Sequence, residues 1–166
     1  YKKEDVLACF SDYPFAVQAE QLGTGHAVQC AQKLLHGARG SVLVCYGDMP
    51  LLKQETYEAL VSVHFREQNA CTILTGTSDE QLPYGRIVRD KDGRFMQCVE
   101  EKDCTPEQLL IRELNVGVYV FEIDQLLPAL SRLENNNTQR EYYLTDVPAI
   151  LRAQGEKIGL CMRALG

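Results

Sequence analysis

Ser41-Val-Leu-Val-Cys-Tyr46 is a short, unbroken apolar run, followed by a helical stretch from Leu51 to Gln68 and a second apolar run over Ala70-Cys-Thr-Ile-Leu-Thr75. An apolar run of this length between helices predicts a strand buried on both faces of a parallel sheet. Along the helical stretch, Leu52, Leu60, Val63 and His64 are the inward candidates. Strand, helix and strand in this order predict a βαβ unit, whose crossover should be right-handed.

Toward the C-terminus the pattern changes. Gly85-Arg-Ile-Val-Arg89 alternates, Lys91-Asp-Gly93 is a turn signal and Phe95-Met-Gln-Cys-Val99 follows, which predicts a β-hairpin. Thr105-Pro106 opens a helical turn, with Thr as N-cap and Pro at the first position. Val116 to Phe121 predicts a strand, Asp124 to Leu133 a helix, and Asn135-Asn-Asn-Thr138 a polar loop. Thr145-Asp146 leads into a last helix through Leu151, and Lys157 to Arg163 predicts the final strand.

Toward the N-terminus, Asp5 to Phe10 fits a helix end or a strand, and Phe15-Ala-Val-Gln18 a short strand. A loop with two glycines, Ala19 to Gly25, precedes Ala27, Val28, Ala31, Leu34 and Leu35 at helical spacing, ended by Gly37 and Gly40. The expected fold is a three-layer α/β domain with a mostly parallel sheet and an inserted β-hairpin.

The 166 residues, 45% apolar, carry a net charge of −6. That suffices for one domain, since a chain of about 150 residues buries roughly 70% of its unfolded surface. The acidic balance argues against nucleic-acid binding, which needs Lys and Arg clustered on one face. No run of 18 apolar residues suggests a membrane span. Seven cysteines, at 9, 30, 45, 71, 98, 104 and 161, form no C-x-x-C pair. They predict reduced thiols in a cytoplasmic protein rather than a disulfide framework or a zinc knuckle. Cys45, Cys71 and Cys161 lie in apolar runs, where cysteine acts as a small hydrophobe; Cys104 is a candidate exposed thiol. His26, His36 and His64 fall on expected helices without an obvious cysteine partner. The chain opens on Tyr1 without an initiator Met and closes on Leu165-Gly166 after an apolar stretch, as a piece of a longer chain would.

Three places could carry chemistry. Tyr46-Gly47-Asp48 follows the first apolar strand, and ligands of open α/β sheets bind beyond the carboxyl ends of strands. Asp48 there either holds a hard divalent cation, shared with phosphates, or caps the turn into the next helix. Gln18 to Gly25, with Gly23 and Thr24 opening a helix, offers free backbone N–H groups to an anion or a polar ring edge. It lacks both the G-x-G-x-x-G fingerprint and a P-loop lysine, so a plain helix start explains it equally well. Gly85, the segment Val99-Glu-Glu-Lys-Asp103 and Asn115 form the third group, although a charged run of this kind is most often a solvated face. No Ser/His/Asp triad and no metal-binding His pair is suggested by spacing.

Six segments occur in order: Gln18-Ala-Glu-Gln-Leu-Gly-Thr-Gly-His-Ala27, Val42-Leu-Val-Cys-Tyr-Gly-Asp-Met-Pro-Leu51, Tyr84-Gly-Arg-Ile-Val-Arg89, Val99-Glu-Glu-Lys-Asp103, Glu113-Leu-Asn-Val-Gly117 and Glu141-Tyr-Tyr-Leu-Thr-Asp146. Across essentially the whole chain they resemble the pyrophosphorylase domain of bacterial bifunctional N-acetylglucosamine-1-phosphate uridyltransferase/glucosamine-1-phosphate acetyltransferases. The resemblance implies a Rossmann-like nucleotidyltransferase fold. It also implies Mg²⁺-dependent transfer of a uridylyl group from UTP to N-acetylglucosamine 1-phosphate, giving UDP-N-acetylglucosamine and pyrophosphate. By the same resemblance Gln18, Gly23 and Thr24 recognise uracil, while Tyr46, Gly47 and Asp48 meet the nucleoside and the Mg²⁺, with Asp48 its ligand. Gly85, Glu100 and Asn115 hold the amino sugar, and Tyr143 and Thr145 line the same pocket.

The family's Gly-rich triphosphate loop would precede Tyr1, its second magnesium ligand would follow Gly166, and its left-handed β-helix acetyltransferase domain, through which a homo-oligomer would form, is absent. The isolated 166 residues are therefore expected to be nearly inactive. Another sugar-1-phosphate nucleotidyltransferase and a non-catalytic nucleotide-sugar-binding domain are the alternatives.

Overall fold

The computed structural model describes residues 2–48 and 52–164. A short helix α1 (Lys3–Cys9) is followed by irregular chain, then by α2 (Thr24–Cys30) and the single turn α3 (Gln32–Leu35). Strand β1 (Ser41–Cys45) leads to α4 (Gln54–Glu67) and β2 (Cys71–Thr77). The expected hairpin is β3 (Arg86–Arg89) with β4 (Phe95–Val99), and α5 (Pro106–Leu109) follows. The long strand β5 (Glu113–Glu122), α6 (Ile123–Leu130), α7 (Val147–Ala153) and β6 (Ile158–Ala164) complete the order.

The sheet runs β4-β3-β5-β2-β6, with β1 also paired to β5. It is mixed, which corrects the expectation of a mostly parallel sheet: β2–β6 is a parallel ladder, whereas β1–β5, β2–β5, β3–β4 and β3–β5 are antiparallel. Strands β1, β2 and β6 do share one direction. However, β5 lies between β1 and β2 and splits the expected βαβ unit. The physical reason lies in the strand itself, because β5 is buried at every position from Leu114 to Phe121. So continuous an apolar strand belongs in the middle of a sheet covered on both faces.

The layers follow from alternation along β5. Val116, Val118 and Val120 pack with Leu60, Leu74 and Cys161 on the α4 side, where Leu52 and Val63 also lean on the cluster. Tyr119 and Phe121 join Ile73, Phe95, Leu126, Leu130, Leu144, Val147 and Leu151 on the side of α6 and α7. The three layers expected from the sequence are thus present.

Several local expectations shift. Asp5 to Phe10 belongs to a helix rather than a strand. Phe15-Ala-Val-Gln18 is not a strand; it has no ladder partner among the described residues, and Phe15 is exposed. The helix expected from Ala27 to Leu35 breaks at Ala31, and His36 closes it from outside. The start of the next helix at Leu51 lies outside the described residues, as do the chain ends Tyr1 and Leu165-Gly166. Thr105 caps α5 as expected, in a reciprocal capping box with Gln108. Cys71 and Cys161 are buried, but Cys45 is exposed because its face of β1 is uncovered by described residues. Cys104 is half-buried rather than free in solvent, and its thiol donates to Val99 O at 3.6 Å.

Candidate active site

The site lies beyond the carboxyl end of β1. Tyr46 is half-buried there, and Gly47 and Asp48 are exposed. The position of the Tyr46 ring depends on an irregularity in β5. Ile73 pairs with Tyr119 and Thr75 with Asn115, so that Leu74 alone spans three residues of β5. Gly117, inside this bulge, has φ +86°, and a Cβ on it would come within 2.4 Å of the Tyr46 ring. The ring therefore rests on bare backbone, with its centroid 6.5 Å from that of Tyr119 in an edge arrangement. The hydroxyls of Tyr119 and Thr24 lie near that of Tyr46. Asn115 Nδ2 donates to the Tyr119 hydroxyl at 2.8 Å, and Asn115 Oδ1 accepts from Gly117 N–H at 3.1 Å. Burial pushes both phenols up, so both are neutral at physiological pH.

The loop from Gln18 is zipped to the segment before α7. Gly25 N–H donates to Tyr142 O at 2.7 Å, Tyr142 N–H to Leu22 O at 2.8 Å, and Leu144 N–H to Thr24 Oγ1 at 2.9 Å. Gly23 sits so close that a Cβ would lie 2.6 Å from Tyr142 O. Gln18 Nε2 donates to Gly23 O at 3.1 Å and to His26 Nδ1 at 2.9 Å, which folds the loop over its own helix. His26 also has a cysteine neighbour that spacing missed, for Cys30 Sγ lies 3.7 Å from Nε2, one helical turn on. The i, i+4 relation was the available signal.

On the other side, Gly85 is wedged between β4 and β5, where a Cβ would approach Cys98 Sγ to 3.0 Å and Val99 O to 3.4 Å. Its carbonyl accepts from Asn115 N–H at 2.9 Å. Glu100 is not part of a solvated face: it is half-buried and accepts from Thr145 Oγ1 at 3.0 Å. Burial pushes its carboxyl up, against the Thr145 bond, and Asp103 and Glu141 add to the rise. Tyr143 is buried, and its hydroxyl accepts from Gln139 Nε2 at 2.9 Å. Burial, with Asp103 opposite, pushes that phenol up to about 12.

Two carboxylates in this neighbourhood were missed by sequence reasoning. Asp103 Oδ1 accepts from Thr138 N–H at 2.8 Å and ties the turn after β4 to the 134–142 loop. Asp146 is pushed up to about 6 by burial and by the charges of Glu100 and Asp103. Neither role is visible in a run of acidic residues without knowing which of them face inward.

The structure thus brings Gln18, Gly23, Thr24, Tyr46, Gly85, Glu100, Asn115, Tyr143 and Thr145 into one neighbourhood, held by separate local hydrogen bonds. Gly47 and Asp48 stand apart at its open end; among the described residues no atom lies within 4 Å of a Cβ placed on Gly47. Among the described residues no group of three or more His, Cys, Asp or Glu could enclose a metal ion. A single exposed carboxylate beside open space nevertheless suits a hard cation that takes one or two protein oxygens and completes its shell with phosphates and water.

Residues 7–164 match the nucleotidyl transferase family. Over 145 residues, 87% of this chain, the sequence is 51% identical to the bifunctional protein GlmU of Clostridium beijerinckii, covering 32% of that protein. Over 160 residues, 96% of the chain, it is 46% identical to the GlmU protein of Streptococcus pyogenes, covering 38% of it. The chain therefore spans about a third of the length of these curated relatives. Among solved structures, UDP-glucose pyrophosphorylase complexed with UDP-glucose superposes with a TM-score of 0.68, over 97% of this chain and 65% of that one. At 16% identity this likeness shows the shared fold alone.

Proposed function

The chain belongs to the nucleotidyl transferase family, and from that premise we propose that the natural protein containing it makes UDP-N-acetylglucosamine in the cytoplasm from UTP and N-acetylglucosamine 1-phosphate. The observation that carries this reading is the convergence of the Gln18 loop and the Glu100–Thr145 pair beyond the carboxyl end of β1.

Each group has work to do in such a reaction. A phosphate oxygen of the sugar phosphate attacks the α-phosphorus of UTP, the bond to the β-phosphate oxygen breaks, and pyrophosphate leaves with the electron pair. No protein nucleophile is needed, so the task is to align the two substrates and balance their charge. Gln18, Gly23 and Thr24 present a rigid polar edge to the uracil. Glu100, when ionised, accepts from sugar hydroxyls, and Asn115 keeps one amide hydrogen and one carbonyl lone pair for the amino sugar. Gly85 leaves room for the sugar to approach backbone, and Tyr143 and Thr145 hold the wall behind it. Asp48 would hold a Mg²⁺ ion, which when bound neutralises phosphate charge.

Pyrophosphate release from the natural protein, measured with UTP and a panel of sugar 1-phosphates, tests this reading. N-acetylglucosamine 1-phosphate should be the preferred acceptor, with glucose 1-phosphate slower. Asp48→Ala should abolish metal-dependent binding of UDP-N-acetylglucosamine in calorimetry, and the 166 residues alone should turn over almost nothing. Preference for another sugar would replace the substrate, and metal dependence unchanged in Asp48→Ala would remove Asp48 as the ligand.

A further inference from the structure

We infer that Arg86 is a positioning residue for the amino-sugar half of the site, acting through Gly85 from the opposite face of the sheet; this rests on the functional reading above. Arg86 pairs with Val99 of β4 on one side and with Leu114 of β5 on the other. Both ladders are antiparallel, so the adjoining row holds Gly85, which precedes Arg86, with Glu100 and Asn115, which follow its two partners. Asn115 N–H donates to Gly85 O at 2.9 Å, and a Cβ on Gly85 would lie 3.6 Å from that of Asn115. The three residues proposed to hold the sugar therefore stand side by side, and Arg86 occupies the row beneath them.

Its side chain faces away from them. Successive residues of a strand point to opposite faces, and Arg86 lines a small cavity with Leu114 and the segments 78–81 and 109–112. Arg86 is 3% exposed, yet among the described residues no carboxylate pairs with it and its Nε has no partner. Its hydrogen bonds leave from one nitrogen: Nη1 donates to Leu82 O at 3.0 Å and to Tyr84 O. Residues 78–85 form neither helix nor strand, so these two carbonyls have no ladder to satisfy them. A buried cation without a counter-charge is unfavourable, and an apolar side chain would fill the same space with less penalty. What the guanidinium supplies instead is a clamp on two carbonyls just ahead of Gly85. Tyr84 O belongs to the planar peptide that joins Tyr84 to Gly85, so the clamp sets that plane and the level at which Gly85 meets Glu100 and Asn115.

The test is steady-state kinetics of the natural protein with UTP and whichever sugar 1-phosphate it prefers, so the identity of the sugar does not decide the outcome. Arg86→Met keeps the bulk and removes the donors; it should raise KM for the sugar phosphate about tenfold and leave KM for UTP within about twofold. Arg86→Lys, whose ammonium can serve both carbonyls from a shorter stem, should give an intermediate rise of about threefold, again for the sugar phosphate alone. Ile87→Val, one residue on and packed in the core of the opposite face, should lower the thermal midpoint and move neither KM. A purely structural Arg86 would behave as Ile87 does, with a lower midpoint and no selective change in KM, and that result overturns the inference. Equal rises for both substrates, or a lysine variant no better than methionine, overturn it too. Should Arg86→Met fail to fold, the selective rise in Arg86→Lys decides, and its absence refutes the clamp. Glu100→Gln and Asn115→Ala report on the functional reading itself. If neither raises KM for the sugar phosphate, that reading fails and the inference with it, whereas rises in both with none in Arg86→Met remove Arg86 alone.

Discussion

Gly117→Ala should damage this domain far more than a one-carbon change usually does, for two separable reasons. The residue has φ +86°, in the left-handed region, where an alanine costs about 1 kcal/mol relative to glycine. The new Cβ would also stand 2.4 Å and 2.6 Å from two carbons of the Tyr46 ring. Ordinary carbon contacts lie near 3.5–4 Å, so the ring must withdraw by about 1 Å, and overpacking of this kind costs about 1–3 kcal/mol. The total of about 2–4 kcal/mol is a large share of the roughly 5–15 kcal/mol that holds a typical domain together. Gly93→Ala isolates the first contribution. Its φ of +76° is similar, but among the described residues no atom lies within 4 Å of the added carbon, so it should cost only about 1 kcal/mol. Urea unfolding followed by far-ultraviolet ellipticity compares the two, since the sequence has no tryptophan to report. With equal m-values, the midpoint of Gly117→Ala should fall at least twice as far. Equal losses for both variants would mean that the Tyr46 ring does not occupy the space above Gly117, and the account of the site would lose its centre.

Two pH-dependent outcomes follow from other carboxylates. Asp146 is raised to about 6 by burial, then by Glu100 and Asp103, so between about pH 4 and 6 the folded protein keeps a proton that the unfolded chain has released. Stability therefore falls as pH rises through that window, and Asp146→Asn should gain about 1–2 kcal/mol at pH 8, after allowance for solvent screening, and nothing at pH 3, by denaturation at each pH. Glu122 behaves oppositely: burial raises its carboxyl, but the Ser41 hydroxyl and the His64 ring, 2.8 Å away, outweigh it and hold it below its ordinary value. Its contribution is complete above about pH 4.5 and is lost as pH falls through the lower native value. Glu122→Gln should thus destabilise at pH 7 by about 0.5–1.5 kcal/mol after allowance for solvent screening, because buried His64 loses a charged partner, and the loss should shrink as pH falls through the lower native value.

Elements could be read from periodicity where burial is one-sided or complete, which is why β1, α4, β2 and the hairpin emerged nearly intact. Pairing could not. The apolar run of β1 suggests two covered faces, yet Leu43 and Cys45 are exposed, and its sequence is silent on which strand lies beside it, since β5 arrives from more than seventy residues away. Phe15-Ala-Val-Gln18 shows the complementary failure: β-type composition without a neighbour remains irregular chain. In the candidate site, the resemblance supplied residues whose convergence periodicity alone does not reveal. Acidic residues 100–103 read as a solvated run, and only the turn after β4 shows that Glu100 and Asp103 face inward while Lys102 stays out.

One signal was present and easily passed over. Asn115, Gly117 and Tyr119 alternate with Val116, Val118 and Val120 along β5. Period-two geometry sends all three to the same face, and a glycine in that place weakens a strand unless something else needs the room. Here two things need it. The amide of Asn115 reaches across the gap to the Tyr119 hydroxyl, and the ring of Tyr46 settles into it from β1. The bulge that admits the ring also breaks the register between β2 and β5, so the sheet gives up ladder regularity where Tyr46 packs beside Asn115 and Tyr119. A glycine flanked at i−2 and i+2 by a polar amide and a phenol is therefore better understood as a socket than as a weak point in a strand.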